Sequence, residues 1–416
     1  MGNSRDKDKD SVSKPHVLYI SRTGMLEPLG QTQVLNYLGG LSKTVDFTLI
    51  TFERKSSDSE KYKQVESFCT RHSIQWVELP YRNRPRFLAG LINIFAALIT
   101  AFKVQRRRPI TFVHARSYIP AIIALAMTKI YGVPYVFDLR GLWPEELITS
   151  QRIKRNSLLH RLIDRFEEVL IKNAAIVVSV TKAGIDWLSE KYGPMSSLEG
   201  SYVIPGSADL DRFNVNERGR DVPIIIGCHG SILNGWFRPD LLGKAFALFA
   251  KRFPSANFEV VTPNDSGQVL SSLGDTSVYR SRLKIYASPV NDISDVLSRH
   301  DLSVFFYSGG MASELGRSPV RMGEALGSGL PVLTNTGVGD VAEIVRENEV
   351  GVVIRDDTDE GLEDAVDRVS RMIRDPEVRA RCRYTAERIF SLSVGTSSYQ
   401  NLYDQMLSDA AQQDVK

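Results

Sequence analysis

Cysteine is scarce in this chain. Its three cysteines, Cys69, Cys228 and Cys382, are far apart, odd in number and outside any C-x-x-C pair. This pattern fits neither a disulfide framework nor a C-x-x-C metal or redox site. The scarcity favours a reducing compartment, and we expect a cytoplasmic protein.

An excess of charge of one sign is also missing. The 52 basic residues nearly balance the 49 acidic ones, which leaves a formal net charge of +3. Charges that are this evenly balanced do not indicate a nucleic-acid binder, and we expect no nucleic-acid partner. Any basic chemistry must be local.

Long hydrophobic runs are absent as well. The longest is "FLAGLINIFAALITAF", residues 87–102, which is shorter than the roughly 20 residues of a membrane-spanning helix. Basic residues flank it in "YRNRPR" and "KVQRRRP". Segment 82–108 is therefore either a half-buried helix of an α/β domain or a helix lying on an anionic membrane surface. The second alternative would make the protein peripheral at a membrane.

Buried strands alternate with helical patterns through most of the chain. Continuous apolar, β-branched runs predict parallel strands. They are "HVLYI", "FTLITF", "TFVHA", "YVFDL", "IVVSV" and "YVI", then "IIIGCHG", "NFEVVT", "LKIY", "LSVFFY", "LPVLTN" and "VGVVI". Helical spacing falls between them, at 31–43, 87–105, 119–131, 157–173 and 360–374, and a last pattern covers 377–411. This alternation predicts an α/β protein with doubly wound sheets.

A stretch rich in Pro, Gly, Asp and Asn interrupts the alternation, which then begins again. We expect a disordered tail over 1–14, one Rossmann-like domain over 15–205, a hinge over 206–223, a second such domain over 224–376 and C-terminal helices over 377–416 that could pack back on the first domain. Two domains of this kind would face each other across a cleft and bind ligands at the carboxyl ends of their strands.

The segment "RSPVRMGEALGSGLPV", residues 317–332, carries the strongest local chemistry. Ser318 is a good N-cap and Pro319 a good first helical residue, so the amides of Val320 and Arg321 should be free to bind an anion. The guanidinium of Arg321 adds a full positive charge at the same helix end. A phosphate or diphosphate suits this helix start.

Glu324 lies one turn further along the same face, where a carboxylate can accept two hydrogen bonds from a ribose diol. The alternative is an exposed Arg321–Glu324 ion pair with no ligand. The helix is expected to end at Gly327 and Gly329, before a buried strand. Beyond that strand lies "GVGD", with Gly339 and Asp340, on the ligand side of the sheet.

Polar residues also follow strands of the N-terminal half. The candidates are Gly30 and Gln31 in the loop Gly24–Gln31, and His114, Arg116, Asp138 and Arg140 at strand ends. Several ionisable groups at neighbouring strand ends are costly unless they are used or paired. Asp138 with Arg140 could instead be a salt bridge, and His114 a structural histidine.

Three other motifs compete with this interpretation. "GSILNGWF" has Walker A glycines, but Trp236 and Phe237 stand where Lys and Ser or Thr are required. "YISRTGMLEPLGQTQ" lacks G-x-G-x-x-G, which disfavours a nicotinamide dehydrogenase. Asp209-Leu-Asp211 matches a D-x-D metal motif, although a turn is the simpler explanation.

Over about residues 16–400 the chain resembles GT-B glycosyltransferases of family GT4. "GMLEPLGQTQVLNYLGGLS", "HARSY", "FDLRGLWPEE" and "IPGSADLDRF" are similar to loops of that family. "HGSILNGWF" and "SPVRMGEALGSGLPV" resemble a subgroup written G-S-x-x-x-W and S-P-[TV]-[KR]-x-x-E. By this resemblance Gly230, Ser231 and Trp236 join Ser318, Pro319 and Val320 as substrate-binding candidates.

The chain departs from the family pattern at two places. The first glutamate of the Glu, seven residues, Glu pattern is replaced by Gly316, although Glu314 is close by. The Arg and Lys that usually follow the first strand of the second domain are absent too, and Ser231, Asn234 and Trp236 occupy that loop. Arg321 is then expected to supply the missing diphosphate charge.

The resemblance implies a retaining, metal-independent transferase with no resident cofactor. It would move a hexose from a nucleotide-diphosphate sugar to a sugar or a lipid-linked glycan, in polysaccharide or glycolipid assembly. Arg321, Glu324, Asp138 and Arg140 are the expected catalytic residues. The alternative is an epimerase or a non-catalytic nucleotide-sugar-binding protein on the same fold.

Overall fold

The strands of the protein form two parallel sheets. The structure is a computed structural model, and it describes residues 14–54, 58–82, 84, 86–215 and 223–414. Strands in the first sheet are β1 His16–Ser21, β2 Asp46–Glu53, β3 Gln75–Pro80, β4 Phe112–Arg116, β5 Tyr135–Asp138, β6 Ile176–Ser179 and β7 Tyr202–Val203. Strands in the second are β8 Ile225–His229, β9 Asn257–Val261, β10 Leu283–Tyr286, β11 Leu302–Phe305, β12 Val332–Thr334 and β13 Gly351–Val353.

Helices connect the strands and cover the sheets. Those from the first half are α1 Pro28–Gly30, α2 Asn36–Leu41, α3 Ser59–Arg71, α4 Arg86–Arg107, α5 Tyr118–Tyr131, α6 Trp143–Thr149, α7 Leu158–Asn173, α8 Lys182–Tyr192 and α9 Ser196–Glu199. Those from the second half are α10 Pro239–Arg252, α11 Ser266–Ser272, α12 Ile293–Leu297, α13 Ala312–Leu315, α14 Val320–Gly327, α15 Val341–Glu347, α16 Asp359–Met372, α17 Val378–Ile389 and α18 Leu392–Asp414. A π-helical turn, Gln31–Leu35, joins α1 to α2, and short 3-10 helices cover Leu210–Arg212, Arg280–Arg282 and Val290–Asp292.

Both sheets have the strand order of a Rossmann-like fold. The first runs β3-β2-β1-β4-β5-β6-β7 and the second β10-β9-β8-β11-β12-β13. In each, the chain winds outward from the first strand on one side and then on the other, so the order reverses beside β1 and beside β8. The loops at the carboxyl ends of those strands are where doubly wound sheets bind ligands. The predicted α/β class is confirmed.

The second sheet buries an aromatic layer against α10. Phe246 and Phe249 are fully buried, and the ring of Phe246 lies 4.9 Å from that of Phe258 on β9. The 3.6-residue spacing of the apolar side chains puts them on one helix face. Truncating either phenylalanine to alanine should cost about 3–5 kcal/mol. This core supports β8 and the loop that follows it.

One strand of the structure was not expected from the sequence. β3 was missed because it is a half-exposed edge strand without a continuous apolar run. The expected C-terminal helices are α17, which ends at Ile389, and α18, which begins at Leu392. At the break, the carbonyl of Phe390 accepts a hydrogen bond from the amide of Ala208.

The chain forms two compact units, one of Met1–Val136 with Tyr403–Lys416 and one of Phe137–Leu402. The division falls within β5. The domain boundaries proposed from the sequence stay predictions. Residues 1–13 of the expected tail and 216–222 of the expected hinge lie outside the described residues, as do 83 and 85 of segment 82–108.

Candidate functional site

Helix α14 carries the strongest candidate residues, and it begins one residue later than its sequence suggests. Its N-cap is Pro319, not Ser318, and no side chain caps it. The hydroxyl of Ser318 instead accepts a hydrogen bond from the amide of Gly206, 3.2 Å away. The expected Ser318 cap is therefore wrong, because this hydroxyl already ties the hinge region to the helix start. The first amides of the helix, from Val320 on, remain uncapped by a side chain.

Arg321 points to the end of β8. Its Nη2 donates to the carbonyl of Ser231 at 3.0 Å, and its guanidinium lies near the rings of Phe237 and Phe305. Its Nη1 is buried and has no hydrogen-bond partner among the described residues. A buried charged donor without a partner is costly, which indicates a place for an acceptor.

Gly230 makes the approach of Arg321 possible. It has a φ of +93°, and a Cβ added there would lie 3.0 Å from Nη2 of Arg321. A side chain at this position would strain the backbone and crowd the guanidinium. The predicted substrate-binding residue Gly230 thus acts on Arg321 by leaving space for it.

Glu324 is hydrogen-bonded to His229, the last residue of β8. The His229 Nε2 to Glu324 Oε2 distance is 3.1 Å. Burial lowers the pKa of His229, so the imidazole is neutral near pH 7 and donates through Nε2. Burial opposes ionisation of Glu324, but its pKa is still held below the ordinary value by the hydrogen bond from His229 and by the charge of Arg321. The carboxylate is thus ionised and partly exposed, with 27% of its side chain accessible.

The alternative of a simple Arg321–Glu324 ion pair fails in the part of the chain that the structure describes. Each side chain has its own partner at the carboxyl end of β8, Ser231 in the loop for Arg321 and His229 on the strand for Glu324. The opposite side of α14 is buried through Met322, and Gly323 leaves no room for a Cβ beside Phe390. The two charged groups are therefore held separately at one edge of the sheet.

Arg317 and Trp236 meet just before the helix start. The guanidinium carbon of Arg317 lies 3.4 Å from the centre of the Trp236 ring, and its Nε lies 3.3 Å from Oε1 of buried Glu314. Burial raises the pKa of Glu314 and that of Glu146 on α6, while the charge of Arg317 lowers both. One arginine thus faces two carboxyl groups that burial makes harder to ionise.

Gly316 has no space for a side chain. A Cβ there would lie 2.9 Å from the amide nitrogen of Leu142 and 3.2 Å from Cα of Gly141. Gly141 in turn lies against the carboxyl group of Glu146, since a Cβ at Gly141 would be 2.7 Å from Oε1. The close backbone approach explains why the family's first glutamate is not accommodated at this position.

The carboxylate of Asp340 binds the start of α8 and does not point to an open surface. Its two oxygens accept hydrogen bonds from the amides of Lys182 and Ala183, at 2.7 and 2.8 Å. Gly339 has a φ of +43°, and a Cβ there would lie 2.1 Å from the carbonyl oxygen of Arg317. Both residues therefore brace the segment that leads into α14.

Asp138 and Arg140 form the salt bridge at the end of β5 that the sequence offered as an alternative to a functional role. Nη1 of Arg140 lies 3.5 Å from Oδ1 of Asp138, and the Tyr399 hydroxyl donates to Oδ2 at 3.1 Å. Asp138 is fully buried. The pair is thus anchored to α18 within its own unit.

Matches to known families correspond to the two sheets. The family model described as Glycosyltransferase Family 4 matches residues 30–212, and the model Glycosyl transferases group 1 matches residues 223–372. Together they cover both Rossmann-like halves. The protein has the GT-B glycosyltransferase fold.

Solved structures agree with this assignment. A glycosyltransferase from Rickettsia africae ESF-5 is 16% identical, with a TM-score of 0.70 over 95% of this chain and 99% of that one. Sucrose-phosphate synthase from Thermosynechococcus elongatus is 14% identical, with a TM-score of 0.68 over 95% and 100%. Anabaena HepE in complex with UDP-glucose is 14% identical, with a TM-score of 0.64 over 94% and 99%. Among curated proteins, no sequence matches the chain.

The remaining candidates lie in the other unit of this GT-B protein. Gly30 is buried, and a Cβ there would be 2.1 Å from the carbonyl oxygen of Gly24. Gln31 begins the π-helical turn, and Arg116 is the buried last residue of β4. The His114 ring lies in the core, stacked 4.3 Å from Tyr19, with Nδ1 2.9 Å from the Tyr403 hydroxyl.

Sequence reasoning missed several residues that shape the candidate site. His229 looked like the end of a buried strand, and its contact with Glu324 spans 95 residues. Arg317 stood beside the singled-out motif, and its position one residue before Ser318 was the available signal. For Glu146, in "WPEE", the local sequence gave no signal of a role in the site. Within the described residues, no group of three or more His, Cys, Asp or Glu side chains could hold a metal ion.

Proposed function

We propose that the protein is a retaining glycosyltransferase that moves a hexose from a nucleotide-diphosphate sugar to an acceptor hydroxyl. The observation that carries this proposal is the buried, unpartnered Nη1 of Arg321 beside the ionised carboxylate of Glu324. A diphosphate and a ribose diol present the complementary groups, acceptors for the guanidinium and donors for the carboxylate. HepE, a structural neighbour, was crystallised with UDP and with UDP-glucose, which supports a nucleotide-sugar donor.

The order of these groups along α14 gives the donor a direction. With the ribose at Glu324 and the diphosphate at the helix start, the sugar extends beyond Val320 towards Arg317. There the sugar would contact Trp236 and the carboxyl group of Glu146. These two side chains would recognise the sugar, because position 316 has no space for a side chain that could do so. An aromatic ring and carboxyl groups suit a hexose, which has both apolar faces and hydroxyl groups.

In the proposed reaction the diphosphate leaves with growing negative charge. Arg321 and the uncapped amides at the start of α14 stabilise that charge, in a site already built to hold it. Glu324 fixes the donor by its ribose, a positioning role. A phosphate oxygen of the departing group takes the acceptor proton, and no metal ion is required. Arg140, held by the buried Asp138 in the same unit as α14, is proposed to contact the sugar of the donor. The roles expected of Gly30, Gln31, His114 and Arg116 stay predictions.

The acceptor is proposed to be a lipid-linked glycan at a membrane surface. Helix α4 supports this, because it is longer than the apolar run in the sequence and by length and composition could cross a membrane, with 28% of its apolar window buried. Ala89, Asn93, Ala97 and Ala101 form a buried face, and large apolar side chains are exposed opposite, at Leu88, Leu91, Ile92, Phe95 and Ile99. One buried face and one exposed face suit a helix that lies on a membrane.

Nucleotide binding tests the donor assignment. UDP, GDP and dTDP are titrated by calorimetry into the wild type and the variants Arg321→Ala and Glu324→Ala. Arg379→Ala is the matched control, because it removes a half-buried arginine whose Nη1 also has no partner among the described residues, but which pairs with Asp301 and does not lie at the start of α14. We expect weaker binding of at least one diphosphate in both site variants and unchanged binding in the control. Equal affinity of both site variants and the wild type for every diphosphate would reject the proposal.

A further inference from the structure

Helix α7 has an unusual distribution of polar and apolar side chains. His160 and Glu167 face the interior and are 5% and 1% exposed, and Asp164 lies on the same side. Four large apolar side chains over residues 158–166 face outward: Leu158 is 76% exposed, Leu159 54%, Leu162 59% and Phe166 38%, whereas Leu170 and Ile171 near the end of the helix are buried. The stretch 158–166 is therefore the reverse of a surface helix in a globular protein, which buries its apolar stripe.

An internal network fixes this orientation. The Lys191 ammonium lies 2.7 Å from Oδ1 of Asp164 and 3.2 Å from Oε2 of Glu167. The Tyr192 hydroxyl donates to the same Glu167 oxygen at 2.5 Å. Turning the helix to bury its leucines would leave the buried carboxylate of Glu167 and the half-buried charges of Asp164 and Lys191 without these partners. The exposed apolar face is therefore a stable property of the fold.

The border of that face is basic. Exposed cations lie on the helix and on the loop before it, at Arg152, Lys154, Arg155, Arg161 and Arg165. Asp164 and Glu167 point away from this face, so they do not neutralise it. Arg155 and Arg165 also contact Glu145 and Glu168. The outer face of α7 thus combines apolar side chains with a positive border.

We propose that this face of α7, with the loop over 152–155, docks on an anionic membrane surface. The leucines and Phe166 enter the boundary between headgroups and acyl chains, and the basic side chains bind lipid phosphates. A second copy of this chain is a poor occupant, because it would bring two basic borders together. The proposal is independent of the donor site and adds a contact in a different unit from α4.

Vesicle binding tests the proposal on the full chain. The wild type is sedimented at low salt with phosphatidylcholine vesicles, with and without phosphatidylglycerol. The test variant is Leu158→Ser/Leu162→Ser/Phe166→Ser. The control is Val278→Ser/Val290→Ser/Tyr384→Ser, which removes three exposed apolar side chains elsewhere. A second variant, Lys154→Glu/Arg161→Glu, leaves the apolar residues in place, and circular dichroism checks that each variant folds.

We expect wild type and control to bind only the anionic vesicles. The apolar variant should lose more than about tenfold in binding, and the charge-reversal variant should lose at least about fivefold. Wild-type binding by both α7 variants would overturn the proposal, even if an α4 variant failed to bind. So would a wild type that is dimeric by light scattering and becomes monomeric only when the three apolar residues are changed. Nucleotide calorimetry on the same variants reports on the donor site separately.

Discussion

The second sheet contains two histidine–glutamate pairs of similar geometry and very different surroundings. His300 Nε2 lies 3.2 Å from Oε2 of Glu259, and His229 Nε2 lies 3.1 Å from Oε2 of Glu324. The Glu259 oxygen also accepts from the Tyr286 hydroxyl at 2.8 Å and lies 3.8 Å from Arg299. Glu324 keeps an accessible carboxylate beside the unpartnered Nη1 of Arg321.

This difference separates a structural ion pair from the proposed binding site. The hydrogen bond from His300, then that from Tyr286, lowers the pKa of Glu259 to about 2 against the effect of its burial. That carboxylate is satisfied inside the protein and has nothing left for a ligand. The Glu324 carboxylate is ionised by similar means but stays open to a donor group. The same residue types therefore form a closed structural pair in one place and, in our proposal, part of a ligand site in the other.

The largest effect is a loss of activity expected beside the His229–Glu324 pair, whose carboxylate is accessible. Arg321→Ala should reduce kcat/KM by about 10²–10³, or 2.7–4 kcal/mol, because a charge that stabilises the leaving diphosphate is lost. Arg379→Ala should lower stability with little change in kcat/KM. Steady-state kinetics with the donor found by calorimetry provides the comparison. If the two variants lost activity equally, Arg321 would have no special role.

The second expected effect is a loss of stability at the His300–Glu259 pair, whose carboxylate is buried and fully paired. Glu259→Gln should lower the free energy of unfolding by about 1.5–3 kcal/mol, since charged hydrogen bonds to His300 and Tyr286 are lost. Its affinity for nucleoside diphosphates should be unchanged. Urea unfolding of this variant is compared with Glu363→Gln, the same change at an exposed position. A loss of nucleotide affinity without a loss of stability would reverse the assignment of the two pairs.

The smallest effect is a pH dependence of that stability difference. The folded-state pKa of Glu259, about 2, is below its ordinary value of 4.5, so the ionised form stabilises the fold. This contribution is complete above pH 4.5 and is lost as the pH falls towards 2. The gap in unfolding free energy between wild type and Glu259→Gln should narrow over that window. A gap that widened on acidification would show that Glu259 is not stabilised as its anion.

The sequence could predict those strands and helices that produce a local pattern of apolar residues. Buried parallel strands appear as apolar runs, so twelve of the thirteen described strands were expected, and only the exposed edge strand β3 was missed. Arg321 and Glu324 were found because a helix start and a three-residue spacing are local features. The resemblance to GT-B enzymes supplied the two-domain fold, which the comparisons confirm.

The rest depends on contacts that sequence spacing does not encode. Ser318 has the residue type of a cap, yet a loop more than a hundred positions earlier takes its hydroxyl. The role of His229 depends on a helix 95 residues away. The sequence shows only that Gly316 replaces a glutamate of the family pattern, whereas the structure shows a close approach to the backbone of Gly141 and Leu142 that needs glycine.

A ligand-based mutant cycle tests the central claim most directly. Calorimetry compares a nucleoside diphosphate with its 2′,3′-dideoxy form in the wild type, in Glu324→Gln and in Glu259→Gln. Removing the diol should weaken binding to the wild type and to Glu259→Gln by at least about tenfold, the loss of a charged hydrogen bond. In Glu324→Gln the two ligands should bind alike. An equal diol preference in all three proteins would contradict the assignment of Glu324 to the ribose.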